Sequence, residues 1–146
     1  YEKISSENIP ECLKMAANWL GLSQHEDKDS LIQELEIIRK AFDFYEILGY
    51  KGGLLRIDGE VVAFTMGEEI SEDIFCVHFE KAYTDIRGAY QMINRQFVTN
   101  ELSDYKYINR EDDTGSENLR KAKLSYYPII IADKYEATYI NEDYSE

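Results

Sequence analysis

His78 and Glu80 stand two residues apart in the segment IFCVHFEKA, and in an extended strand that spacing places both side chains on one face. A carboxylate held there and partly desolvated has its pKa raised toward working pH, which suits a general base taking a proton from an attacking amine. Glu80 is the expected base and His78 an expected substrate contact, although a histidine in an apolar strand equally suits a satisfied core residue. Next, Arg87-Gly88-Ala89 falls at the expected start of a helix, where unpaired backbone N–H groups and the positive helix end attract phosphate. Arg87 would add a charge-assisted contact, while Gly88 and Ala89 equally suit close packing of that helix on a sheet. A third group, Asn109-Arg110-Glu111-Asp112-Asp113, follows a short strand. Arg110 suits a phosphate or a substrate carboxylate, and Glu111 suits a cationic amine. Asp112 and Asp113 suit the amine too, or the N-cap of the next helix. Arg120, Lys121 and Lys123 make a basic patch that a solvated helix face explains. Cys12, Cys76, His25 and His78 lack metal-ligand spacing, so free thiols and no metal are expected.

The elements that must position these groups follow from periodicity. Pro10 fits a first helical turn and Gly21 a C-terminal stop. They bracket ECLKMAANWL as a short helix with Leu13, Ala16, Ala17 and Leu20 on its apolar face. Leu31, Leu35, Ile38, Phe42 and Tyr45 recur at helical spacing, which predicts a longer helix from Asp29 to Leu48 before Gly49. The period then changes to GGLLRI, Asp58-Gly59 and EVVAFTMGE, a hairpin whose turn pair favours positive φ. IFCVHFEKA, apolar almost throughout from Ile74 to Phe79, reads as a central strand covered on both faces. A helix is predicted from Asp85 to Leu102, capped by Thr84 or Asp85, with Ile86, Ala89, Tyr90, Ile93, Phe97 and Val98 on one face. YKYIN reads as a strand, SENLRKAKLSY as a helix and PIIIADKYEATYI as a final strand or hairpin. The expected fold class is mixed α/β, with a mostly antiparallel central sheet flanked by helices in one domain spanning residues 1–146.

The 16 Lys and Arg against 29 Asp and Glu leave a net charge of −13, which argues against a chain that binds polyanions over its whole surface, so DNA is not an expected partner. The charge is uneven. Residues 1–73 hold 7 basic and 16 acidic side chains, whereas from Lys81 to Lys134 the numbers are 9 and 8. That nearly neutral segment holds most of the candidate site residues, so a local phosphate-bearing ligand stays admissible. No apolar run approaches the ~20 residues of a membrane span and no leader pattern opens the chain, so a cytoplasmic setting is expected. Tyr1 opens directly into a helix approach and reads as the continuation of a longer chain.

This order of elements resembles the GCN5-related N-acetyltransferase fold. HFEKAYTDIRGAYQMINRQF followed by YINREDDTGSENLRKAKLSYYP is similar to the signature half of a bacterial family, the one that includes the C-terminal domain of phosphatidylglycerol lysyltransferase. The similarity covers residues 78–128. It implies a domain that is the second of two tandem acetyltransferase-like halves, with the first half as its partner. It also implies transfer of an acyl or aminoacyl group from an activated donor to a small-molecule amine. The donor is acyl-CoA or, as in the peptidoglycan aminoacyltransferases of the wider superfamily, aminoacyl-tRNA; a non-catalytic scaffold half is the remaining alternative. By resemblance, Arg87, Gly88 and Ala89 would hold the donor phosphate, in a compressed form of the acetyltransferase pattern, and Asn109 would face the donor's amide-bearing arm. Asn118, Ala122 and Tyr126 follow the acetyltransferase order of Asn, Ala and a terminal Tyr beside the thiolester. Tyr126 would then be the acid for the leaving thiolate and Asn118 a cofactor contact. Ala122 and Tyr126, four apart, are equally explained as neighbours on a helix.

Overall fold

A computed structural model describes residues 1–22, 28–113, 115–135 and 137–138. Two compact units divide the chain, residues 1–111 and residues 112–146. The first carries β1 (Glu2–Lys3), α1 (Ile9–Leu22), α2 (Lys28–Asp43), β2 (Lys51–Ile57), β3 (Glu60–Ser71), β4 (Ile74–Ala82), α3 (Ala89–Glu101) and β5 (Tyr107–Asn109). The second carries α4 (Glu117–Leu124).

The sheet runs β1-β2-β3-β4-β5. Its first three pairings are antiparallel, and β5 joins β4 in parallel. The β2–β3 hairpin closes at Asp58 and Gly59, whose φ values of 50° and 87° are those the Asp-Gly pair favours. Along β3, Ala63 packs with Ala82, Ala89 and Ile93, whereas its neighbour Phe64 packs with Cys12, Met15, Ile38 and Phe42. Successive residues thus serve opposite layers. α3 covers one face of the sheet and α1 with α2 the other. Phe97 and Phe75 meet edge to face at 5.7 Å, extending the α3 layer over β4.

β4 buries the consecutive residues Phe75, Cys76 and Val77, as expected of a strand covered on both faces, and Ala82 at its end, whereas His78 to Lys81 are half-buried. α2 buries Ile38 and Phe42 as the period predicts, but it ends at Asp43, with turns up to Gly49. Other expectations are corrected. α1 buries Cys12, Met15 and Ala16 and leaves Ala17 exposed, a face turned by one residue from the predicted one, and Gly21 lies inside the helix. β1 has no periodic signal at two residues. It pairs with β2 through Glu2↔Leu54 and Lys3↔Gly53, anchored by buried Ile4. From Pro128 to Tyr135 the chain forms no strand. Ile129, Ile130 and Ile131 are exposed at 83, 61 and 74%, so an apolar run without a ladder partner did not become sheet. The remainder of that predicted strand, at residue 136 and from 139 on, lies outside the described residues, as does His25. No helix among the described residues is long and apolar enough to cross a membrane.

Candidate functional site

The site is organised by where β4 stops pairing. β4 and β5 are joined at Ile74↔Tyr107, Phe75↔Ile108 and Cys76↔Asn109. Beyond Cys76 and Asn109 the parallel ladder ends, and a seam runs between the rest of β4 and the chain leaving β5.

A register shift decides which side chains face which side of that seam. Met66 pairs with Phe79 and Gly67 with Val77, so His78 is an extra residue, a bulge that reverses the alternation of faces. Gly67 permits it, since a Cβ there would lie 1.9 Å from the Cys76 carbonyl oxygen. Glu80 sits opposite Thr65 on the α3 face, where Asn94 Nδ2 donates to it at 3.3 Å. His78 turns to the other face, its ring centroid 5.9 Å from that of Tyr50. The expectation that His78 and Glu80 share a face is therefore corrected. A simple strand spacing does not survive one inserted residue.

Two consecutive residues then clasp β4 from its two faces. Arg110 Nη2 donates to Glu80 Oε1 at 2.8 Å, both side chains being largely buried, at 22 and 12% exposure. Glu111 Oε1 lies 2.8 Å from His78 Nδ1 on the opposite face, while Glu68 Oε1 lies 2.8 Å from His78 Nε2. Partial burial pulls the His78 pKa down, but hydrogen bonds and charge from Glu111 and Glu68 outweigh it and hold the imidazole above its ordinary value. Glu111 takes the left-handed conformation, φ 57°, and its N–H donates to Asn109 Oδ1 at 2.8 Å. Asn109, expected at the donor's arm, here fixes that turn. Cys76 Sγ completes the group, 3.9 Å from His78 Nδ1 and 3.8 Å from Glu111 Oε1.

Arg87 and Gly88 precede α3, and Gly88, not Thr84 or Asp85, is its N-cap, with φ 83°. The segment Tyr83 to Ala89 is spent on turns, Ile86 N–H to Tyr83 and Ala89 N–H to Ile86, before the helix begins. A Cβ on Gly88 would meet nothing within 4 Å, so its backbone faces open space, whereas Ala89 is packed into the core with Ala63, Ala82 and Ile93.

In the second unit Asn118 lies on α4, and Tyr126 follows the helix at 40% exposure. The N-cap of α4 is Ser116, whose hydroxyl accepts from Leu119 N–H, in place of the expected aspartates. Asp113 instead accepts from Gly115 N–H and pairs with Arg120 at 2.5 Å, which hold its carboxyl below the usual range. Lys134 pairs with Asp112 at 2.8 Å and Lys121 with Glu117 at 3.4 Å, as a solvated basic face does.

Sequence reasoning missed Glu68 and Asn94, because their partners are set by strand register and helix placement. It also kept Cys76 apart from His78, although two strand residues spaced by two were a usable signal.

The family described as phosphatidylglycerol lysyltransferase, C-terminal, matches residues 1–138. The chain belongs to this family. The chain is also similar to solved structures. A conserved protein of unknown function from Bacteroides thetaiotaomicron is 44% identical with a TM-score of 0.81, the match covering 88% of this chain and 44% of that one. The chain therefore spans less than half the length of that relative. A ribosomal-protein-alanine N-acetyltransferase from Brucella melitensis biovar Abortus is 13% identical with a TM-score of 0.61, covering 94% of this chain and 97% of that one. A predicted acetyltransferase with acetyl-CoA from Clostridium acetobutylicum is 10% identical with a TM-score of 0.50, covering 94% of each. These last two show the fold alone, an acetyltransferase-like mixed sheet flanked by helices. No curated protein matches the chain.

Proposed function

We propose that this domain transfers an acyl or aminoacyl group from an activated donor to a small-molecule amine, with acyl-CoA as the preferred donor. The observation that carries the reading is the seam. The parallel ladder ends at Cys76↔Asn109, and the carboxylate of Glu80 lies further along β4 on the face that carries α3. The left-handed Gly88 backbone, which faces open space before α3, and the adjacent Arg87 are assigned the donor's phosphates.

In the proposed step the amine nitrogen attacks the donor carbonyl carbon, the bond from that carbon to the leaving sulfur or oxygen breaks, and the amine proton passes to Glu80. In the structure Glu80 Oε1 already accepts from Arg110 Nη2 at 2.8 Å. The proton transfer therefore needs Arg110 to exchange Glu80 for an anionic group of the donor or acceptor. The leaving group takes up a proton from solvent, and His78 and Glu111, on the face opposite Glu80, take no part in this step.

The family's description as a lysyltransferase supports a second reading, aminoacyl-tRNA as donor. Calorimetric titration of the full-length protein with acetyl-CoA, longer acyl-CoAs and charged tRNA separates the two. Saturable acyl-CoA binding weakened by Arg87→Ala supports the first. Binding of charged tRNA that falls steeply with salt supports the second. Binding of neither leaves a scaffold half and overturns both.

A further inference from the structure

We propose that Cys76, His78 and Glu111 form a binding site for a divalent cation of the Zn2+ type, with Glu68 orienting the histidine. The three donor atoms, a thiol sulfur, an imidazole nitrogen and a carboxylate oxygen, all lie within 4.8 Å of one another. A tetrahedral zinc with bonds of about 2.0 Å to N and O and about 2.3 Å to S has edges of about 3.3 Å from N to O and about 3.5 Å from S to either. The corresponding distances here are 2.8, 3.9 and 3.8 Å. Opening the N to O edge by about half an ångström, and closing the other two by less, seats the ion.

The remaining contacts are those of a ligand set already oriented. Glu68 Oε1 at 2.8 Å from His78 Nε2 is the carboxylate that fixes the tautomer, leaving Nδ1 as the metal-facing nitrogen. Glu68 in turn sits opposite Cys76 in the ladder, so the orienting carboxylate and the sulfur ligand share one strand pairing. The bulge at His78 and the left-handed turn at Glu111, tied to Asn109 Oδ1, are the two backbone departures that bring the donors together. Nitrogen, oxygen and thiolate donors select zinc-like ions over magnesium or calcium, which prefer oxygen alone. A thiolate and one carboxylate also neutralise a dication. The side chains of His78 and Glu111 are 22 and 42% exposed, which gives the ion a path and leaves the fourth position to water or a substrate atom. This inference stands without the transferase reading, since every ligand is argued from the geometry of the site itself.

The test uses full-length protein stripped by a chelator and then titrated with Zn2+ and, separately, Co2+. One Zn2+ bound per chain by calorimetry, and a thiolate-to-Co2+ charge-transfer band in the near ultraviolet, are expected. Glu68→Gln is expected to weaken Zn2+ about 10- to 100-fold, the usual effect of losing a carboxylate behind a ligating histidine. Cys76→Ala should abolish the Co2+ thiolate band, whereas Cys12→Ala, altered deep in the α1 core, should keep it. Where a variant fails to fold, the unmodified protein decides, because bound Zn2+ must slow alkylation of Cys76. A Co2+ spectrum without a thiolate band, or Cys76 alkylation that Zn2+ leaves unchanged, would overturn the proposal.

Discussion

Replacing Arg110 with Met tests the clasp across the seam most sharply. The change keeps most of the side chain's volume and removes the cation 2.8 Å from Glu80, which is only 12% exposed. A charged hydrogen bond in such surroundings is worth about 1.5–3 kcal/mol, whereas full loss of a partner in a wholly buried pair costs about 3–5 kcal/mol. Arg110 keeps 22% exposure and Asn94 still donates to Glu80 at 3.3 Å, so the lower range applies. The expected loss is about 2 kcal/mol, or about 6–8 °C in Tm for a chain of this size. Urea unfolding of Arg110→Met, Glu80→Gln and the double variant forms a cycle whose coupling should reach about 1–2 kcal/mol, because the two residues are in contact. A loss below about 0.5 kcal/mol together with no coupling would refute the reasoning, since that is how solvated surface pairs behave.

Three further outcomes follow from the same structure. Gly88→Ala places a Cβ in open space but forces an L residue to φ 83°, so it should cost about 1–2 kcal/mol by urea unfolding and weaken donor binding; unchanged stability would contradict the left-handed N-cap. Gly67→Ala would drive a Cβ to 1.9 Å from the Cys76 carbonyl, so thermal unfolding should show a loss of about 2–4 kcal/mol, and a neutral effect would contradict the bulge. The Arg56 guanidinium holds the carboxyls of Glu2 and Glu11 below their ordinary values, so their stabilisation is present above about pH 4.5 and is lost as pH falls through the lowered values. Acid unfolding curves of Arg56→Gln should therefore flatten in that window, and an identical acid limb would exclude the contribution.

The parts of the fold legible in the residues were those with a strong period or a turn with distinctive chemistry. α2, the Asp58-Gly59 hairpin and the apolar centre of β4 emerged close to where they were read, because burial on fixed faces leaves its mark in residue type. Several things left no such mark. The bulge at His78 is silent in IFCVHFEKA, whose apolar run is nearly continuous, so nothing in the pattern marks the slip that sends His78 and Glu80 to opposite faces. Ile129 to Ile131 carried a strand's composition without a partner edge. Thr84 and Asp85 have good capping chemistry, yet the turns through Ile86 carry the chain to Gly88 before the helix can start. His78 and Glu111 were singled out separately, but that they meet, and that Cys76 and Glu68 join them, depends on register between strands far apart in sequence.

Amide hydrogen exchange of the full-length protein, with and without saturating acetyl-CoA or charged tRNA, tests the central claim most directly. If the seam receives an activated donor, one of the two should slow exchange in residues 78–80, 87–92 and 109–111 while leaving the α1 and α2 layer unchanged. Binding of neither donor, or binding that leaves those three segments exchanging as before, would contradict a donor site between β4 and β5.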